Sequence, residues 1–414
     1  MFLYMKIKFE IKYKDAAGKV GKIKLNGKTI ETPYLFPVIN PFKQELPIKE
    51  IKKMGFNAII TNAYILFKRK EEVMEKGIHN FLGFDGIIET DSGAYQLLQY
   101  GDIDIENEDI IYFQNEIGVD IGNILDIPSY GKTYEEAKKD LEITLERLKQ
   151  AIEMANFAIN GPIQGDKYLD LRYKALEEVS KLDIDIYAIG GIVPYMNQYK
   201  IESLAKIIGP LLLDIPRDRP VHLFGLGHPL IMPLFVALGA DLFDSASYSL
   251  FAKEERILTP FRTFRLEDLT DSYILDYKAS ELKGMENKTY IIAKHNLLVL
   301  RNEINFIRDL IRQNRLWDYV IIKAHAHPSI YFATKYVLEN LYEKLKEHEP
   351  ITKRVGILYQ GELTELRSDL RYAIEQLKKL DKSQINDILD YAWPFGQFEI
   401  GEKDKKLFFQ RFLK

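Results

Sequence analysis

Ile87-Ile88-Glu89-Thr90-Asp91-Ser92-Gly93 decides how this chain folds. A short apolar run reads as a buried strand, and a carboxylate at its exit cannot stay inside without partners. The pattern returns at Ile121-Gly122-Asn123-Ile124-Leu125-Asp126 and at Asp241-Leu242-Phe243-Asp244-Ser245. Segments with helical spacing separate the three. Strands of one sheet would then gather their carboxylates at its C-terminal end, where α/β barrels keep their chemistry.

Working outward gives eight candidate strands: Leu35–Ile39, Ala58–Thr61, Ile87–Thr90, Ile121–Leu125, Phe157–Ile163, Ile184–Ile189, Val221–Phe224 and Leu242–Phe243. The clearest helix between them is Tyr134–Ala155, where Ala137, Leu141, Leu145, Leu148 and Ile152 form one stripe. Leu169–Leu182 and Leu204–Leu213 repeat the pattern more weakly. Alternation of this kind predicts parallel βαβ units, and eight of them close into a (β/α)8 TIM barrel of the α/β class. A doubly wound open sheet is the alternative, but no G-x-G-x-x-G turn follows Leu35–Ile39. Residues 6–31 alternate around Gly18, Gly21 and Asn26-Gly27, which predicts an antiparallel hairpin cap on the barrel floor.

At 414 residues the chain suits a barrel plus one further module, and a hydrophobic share of 46% supplies a large core. The reading divides it into a barrel over 1–265, a barrel-completing helical region over 266–349 and a partial α-rich C-terminal domain over 350–414. Helical spacing marks Leu298–Trp317, Tyr331–Lys346, Thr364–Leu380 and Lys382–Tyr391. Zero cysteines exclude disulfides and thiolate-bound metal. No apolar run approaches the roughly 20 residues of a membrane span, and MFLYMKIKFE reads as a strand, so the expected location is cytoplasmic. A net charge of −4 gives no global basic field, so a nucleic-acid partner would need a local patch.

The strand exits carry Asn40, Asn62, Asp91-Ser92-Gly93, Asp126, Gln164-Gly165, Gly190-Gly191, Gly225-Leu226-Gly227 and Asp244-Ser245. A ring of amides, hydroxyls and carboxylates, with glycines admitting close approach, suits a flat hydrogen-bonding heterocycle. Each exit also has a plainer reading. Asp244 could cap the following helix, Gln164-Gly165 could be a turn, and Tyr95 could be core. His222, inside a strand, reads as a satisfied core histidine, and Gly225-Leu226-Gly227-His228 as either a phosphate cradle or a tight βα turn.

With these residues in hand, the chain resembles the tRNA-guanine transglycosylases. The motifs Thr90-Asp91-Ser92-Gly93-Ala94-Tyr95-Gln96, Leu125-Asp126-Ile127-Pro128, Pro162-Ile163-Gln164-Gly165, Ala188-Ile189-Gly190-Gly191-Ile192-Val193-Pro194, Val221-His222-Leu223-Phe224-Gly225 and Leu242-Phe243-Asp244-Ser245-Ala246-Ser247-Tyr248 match in order and spacing. The likeness covers Phe36 to Glu349, continues weakly to Trp393-Pro394-Phe395-Gly396-Gln397, and is greatest to the archaeal, archaeosine-type branch. It implies exchange of a guanine in the tRNA D-arm for 7-cyano-7-deazaguanine through a covalent aspartyl-tRNA intermediate. Asp244 would be the nucleophile and Asp91 the acid/base. Ser92, Asp126, Gln164 and the Gly190-Gly191-Ile192 backbone would bind the base, with Tyr95 and Phe224 on its faces.

The sequence departs from the family in two places. The structural-zinc cysteines are absent. Asp271-Ser272-Tyr273-Ile274-Leu275-Asp276-Tyr277-Lys278 stands there instead, and His295 alone survives, so no cofactor is expected and apolar packing should replace the metal. The resemblance also implies a C-terminal PUA-type RNA-binding domain, which a separate protein would supply unless its role is dispensable. The set Arg308, Arg312, Arg315 and Lys323 either faces phosphates or forms a solvated helix face. Two other functions stay in view. One is a non-catalytic tRNA-binding subunit of a heteromeric enzyme, which would not need two buried carboxylates. The other is a barrel glycosidase, which would want aromatic platforms at the exits. Whether the subunit forms a homo-oligomer is left open.

Overall fold

The three-stranded antiparallel sheet β1 (Lys8–Asp15), β2 (Gly18–Leu25) and β3 (Lys28–Thr32) opens the chain, as the alternation around Asn26-Gly27 predicts. The computed structural model describes residues 6–93, 105–350, 353, 356–377 and 379. Eight parallel strands follow: β4 (Tyr34–Pro37), β5 (Ala58–Asn62), β6 (Ile87–Asp91), β7 (Ile121–Gly122), β8 (Ala158–Ile163), β9 (Ile186–Ile189), β10 (Val221–Leu223) and β11 (Leu242–Ser245). Their order is β4-β11-β10-β9-β8-β7-β6-β5. A parallel bridge between Val38 and Ile60 closes the ring, with Ile39 N donating to Ile60 O at 2.7 Å. The fold is the expected (β/α)8 barrel, and all eight expected strands lie in it. Asn123–Leu125 falls outside β7, because Gln114 takes over its backbone: Oε1 accepts from Asn123 N at 3.1 Å and Nε2 donates to Asn123 O at 2.9 Å.

Aspartates at the two ends of the strands do different work. On the floor, Asp120, Asp185 and Asp241 each accept a backbone N–H from the start of a neighbouring strand: Ile88, Ile159 and Val221, at 2.9, 3.0 and 3.0 Å. The same carboxylates fasten the antiparallel cap. Lys28 pairs with Asp120 at 2.8 Å, Ile7 N donates to Asp185 at 3.0 Å, and buried Lys19 meets buried Asp241 at 2.8 Å. Among the described residues, Asp91, Asp126 and Asp244 stand at the opposite end.

The helices Tyr134–Met154, Leu169–Ser180 and Ile201–Asp214 wrap the sheet as their stripes require. The first begins on a capping box in which Thr133 accepts from Glu136 N. The single helix expected over Leu298–Trp317 is two, Lys288–Arg312 and Leu316–Ala324. They are parted by a turn in which Asn314 takes φ +58°, a left-handed conformation that asparagine tolerates well. Pro328–Asn340 and Tyr342–Leu345 divide the next stretch, and Glu362–Glu365 and Ser368–Leu377 the one after. One apolar cluster runs from Ile7 through the barrel to Leu363. A buried ionic group ties the cap to the last described helices, with Lys353 meeting Asp15 at 2.7 Å and Asp369 at 2.6 Å. Lys382–Tyr391 and the Trp393–Gln397 motif lie outside the described residues.

The Arg308 set does not share one face: Arg312 and Arg315 are exposed, Arg308 is half-buried and Lys323 is buried. Arg308 donates to Glu31 O and Pro33 O at 2.8 and 3.0 Å, Arg312 pairs with Glu31 at 2.7 Å, and buried Lys323 with Glu303 at 3.0 Å. Arg308 and Arg312 brace the helix Lys288–Arg312 against the cap, Lys323 ties that helix to Leu316–Ala324, and Arg315 is exposed.

Candidate active site at the barrel mouth

Asp91 ends β6, and its neighbours are fixed by the turns that follow each strand. Asn62, ending β5, uses Oδ1 to cap the helix Ala63–Phe67 through Ile65 N at 3.0 Å, while its Nδ2 donates to Asp91 at 3.3 Å. Gly93 takes φ +101°, and a Cβ there would lie 2.6 Å from Tyr64, so the turn admits only glycine. Burial, helped by the charges of Asp126 and Asp244, pushes the Asp91 carboxyl up to about 7. A carboxyl near neutrality can both give and take a proton at working pH.

Asp244 is the next-to-last residue of β11 and is held on one oxygen. Gly225 N donates to Oδ1 at 2.7 Å and His222 Nε2 donates to the same atom at 3.2 Å. His222 is completely buried, and its ring stacks on Phe224 at 4.2 Å and on Phe36 at 5.6 Å. Its Nδ1 lies 3.4 Å from Glu89, a fully buried carboxylate that also accepts from Asn160 at 2.7 Å and Asn123 at 3.3 Å. Burial alone would lower the imidazole, but the carboxylates of Glu89 and Asp244 outweigh it and raise it to about 9. The satisfied core histidine of the sequence reading is therefore a cation in contact with the candidate nucleophile.

The third cluster is Asp126, Gln164, Gly190 and Gly191. Gln164 Nε2 donates to Asp126, and burial still lifts that carboxyl to about 6. A Cβ at Gly190 would lie 2.4 Å from Gln164 Nε2, and one at Gly191 would lie 3.0 Å from its Oε1. The paired glycines leave room for the amide and nothing else. Gln164 Oε1 and Ser92 Oγ are buried without a hydrogen-bond partner among the described residues. Arg172, missed in the sequence, holds these turns together by donating to Ile163 O, Asp166 O and Gly190 O at 3.0, 2.7 and 3.3 Å.

A cavity of about 1170 Å³ opens at this end, with Asp91, Asp244, Phe224 and Asn62 on its wall and Lys43, Lys68, Arg69 and Lys253 among its cationic lining. The structure thus brings Asp91, Asp244 and Phe224 to one cavity, and Asp126 within electrostatic reach of Asp91. Ser92 is buried beside Asp91. Ile192 buries its side chain in the core, so only its backbone can meet a ligand. Tyr95 lies outside the described residues. The Gly225-Leu226-Gly227 turn is no phosphate cradle, because Gly225 N serves Asp244 Oδ1 and Gly227 N serves Asp244 O at 3.0 Å.

The segment in place of the zinc cysteines forms a short strand pair, Tyr273–Ile274 with Tyr277–Lys278, and Ile274 is buried in the core. His295 Nε2 donates to Leu258 O at 3.0 Å. Without thiolates, and with no cluster of three His, Asp or Glu among the described residues arranged for an ion, this donor set does not fit the family's zinc.

A TIM barrel with several carboxylates, a carboxamide and paired glycines at the C-terminal end of its strands has the arrangement of a barrel enzyme. The family model described as queuine tRNA-ribosyltransferase matches residues 15–329. Similar proteins include the tRNA-guanine(15) transglycosylases of Pyrococcus furiosus (43% identical over 96% of this chain and 71% of that protein) and Thermococcus kodakarensis (42%, 96% and 72%). That of Methanocaldococcus jannaschii is 42% identical over 90% of this chain and 60% of its own length. The chain belongs to the tRNA-guanine transglycosylase family.

Proposed function

We propose that this chain exchanges guanine 15 in the D-arm of tRNA for 7-cyano-7-deazaguanine, the archaeosine-forming reaction, in the cytoplasm. Asp244 is the nucleophile toward C1′ and Asp91 the proton carrier for the departing and entering bases. The observation that carries the reading is the contrast between these two carboxylates on one cavity. Asp91 is pushed up to about 7, while Asp244 faces a histidine cation and a backbone N–H. Two carboxyl groups in different surroundings, one placed as nucleophile and one as proton carrier, is the logic of retaining glycosidases.

Asp126, Gln164 and the Gly190-Gly191 backbone read the base edge, Ser92 adds a hydroxyl, and Phe224 supplies a face for stacking, worth about 1–3 kcal/mol. Tyr95 is assigned to the other face. The base must leave its stack to enter, and the cations Lys43, Lys68, Arg69 and Lys253 suit the phosphates flanking it. The names of the archaeal relatives support position 15. The short strand pair that buries Ile274 stands in place of the zinc site, and no cofactor is assigned to the reaction. The module boundaries near residues 265 and 349 are proposed as read from the sequence.

Exchange of labelled guanine into tRNA transcripts by the purified chain tests this, with 7-cyano-7-deazaguanine as competitor and with or without a separate PUA-type protein. Incorporation that the deazaguanine suppresses supports the reading. No incorporation in either arm contradicts it.

A further inference from the structure

Three side chains from strands that are not all neighbours meet inside the barrel: Glu89 on β6, His222 on β10 and Asp244 on β11. Because β6 and β10 are separated by β7, β8 and β9, the Glu89–His222 contact crosses the interior. The chemistry proposed above gives Glu89 no role and takes from His222 only its charge beside Asp244. A buried carboxylate and a buried imidazole are costly to keep, and their pairing leaves one imidazole N–H for Asp244.

We propose that His222, anchored by Glu89, is a positioning residue that clamps Oδ1 of Asp244, reserves Oδ2 for attack, and eases release of the carboxylate when the ester is resolved. The inference rests on Asp244 as nucleophile. Both hydrogen bonds to Asp244 end on Oδ1, and none reaches Oδ2 from the described residues. Stacking on Phe224 and Phe36 fixes the ring plane, and the Asn123 and Asn160 amides fix Glu89. The charged groups facing the imidazole are therefore two carboxylates, Glu89 and Asp244, which keep it cationic.

In the first half-reaction an Oδ2 lone pair forms the bond to C1′ as the C1′–N9 bond breaks. That bonding pair leaves with guanine, which takes a proton from Asp91. In the second, the entering base gives its N9 proton to Asp91, and its nitrogen lone pair bonds C1′ as C1′–Oδ2 breaks. The carboxylate recovers that electron pair and with it a negative charge shared onto Oδ1. There the imidazolium and Gly225 N–H stabilise it as preorganised donors do an oxyanion. The clamp favours the free carboxylate over the neutral ester, so it tunes the balance between them.

The test uses the full chain, tRNA transcript and a fixed concentration of guanine, comparing the parent with His222→Gln and Glu89→Gln. In the parent the covalent adduct maps to Asp244. For His222→Gln, turnover falls roughly tenfold or more, while the fraction of enzyme held as adduct rises. Glu89→Gln keeps the stacked ring and provides the test should His222→Gln fold poorly. Its adduct fraction rises at about pH 8.5, where the imidazole loses its proton, and not at about pH 6. A merely structural role would lower turnover and adduct together and leave the pH profile unmoved, and that result overturns the proposal. Unchanged kinetics in both variants also overturns it. An adduct mapping away from Asp244 in the parent overturns the underlying assignment instead.

Discussion

Asp91→Asn should make this protein more stable as it makes it inactive. The Asp91 carboxyl rises from its ordinary 3.8 to about 7, chiefly through burial, with the charges of Asp126 and Asp244 adding to it. At about 1.4 kcal/mol for each tenfold change in proton affinity, that rise corresponds to roughly 4 kcal/mol of cost in holding the charged form. Partial exposure to the cavity screens it to about half, near 2 kcal/mol. The sign follows from proton binding. Between pH 3.8 and 7 the folded state holds a proton that the unfolded state has released, so stability falls as pH rises through this window. The cost is complete above pH 7 and absent below 3.8. An asparagine keeps an oxygen for Asn62 and Gly93 but carries no charge. Urea unfolding at about pH 8 should therefore show the variant more stable by about 2 kcal/mol, with the advantage shrinking by more than half near pH 5. A variant that is less stable at pH 8, or one whose advantage is the same at both values, would refute the reasoning.

Gly190→Ala should displace Gln164, whose Nε2 would lie 2.4 Å from the new Cβ, and free Asp126. The steady-state efficiency for the entering base should fall roughly tenfold to a hundredfold, while the Asp244 adduct still forms; unchanged efficiency would show that the carboxamide does not read the base. Lys19→Met strands the buried Asp241 carboxylate and should cost about 3–5 kcal/mol in urea unfolding; a loss below about 1 kcal/mol would mean the cap is not fastened by this pair. Elemental analysis of protein purified without chelator should find no stoichiometric zinc, and about one tightly held ion per chain would refute the replaced-site reading.

The sequence made the strands legible because burial on both faces leaves uninterrupted Val/Ile/Leu runs, and the exits because a carboxylate cannot follow them inside. It was less informative about helix ends. Asn314 sits within a run of apolar periodicity, and only its backbone conformation reveals the break. It also gave the Arg308 set a solvated or phosphate-facing role, since periodicity does not show that Glu31 lies opposite. Glu89 and His222 carried a signal that went unused. Each is a charged or chargeable residue in the middle of a buried strand, they differ in sign, and such residues persist only when they find each other. Arg172 had no comparable mark, because an arginine on an amphipathic helix looks solvated until the turns it holds are known.

The proposed reaction depends on a covalent bond between Asp244 and the tRNA ribose. The most direct measurement is acid-quenched reaction of the chain with tRNA, followed by nuclease and protease digestion and mass spectrometry of the peptide spanning Asp244. A ribose-linked Asp244 in the parent, absent in Asp244→Asn while tRNA binding persists, is the expected result. Guanine exchange by Asp244→Asn at the parent rate, or a ribose adduct on any other residue, would contradict it.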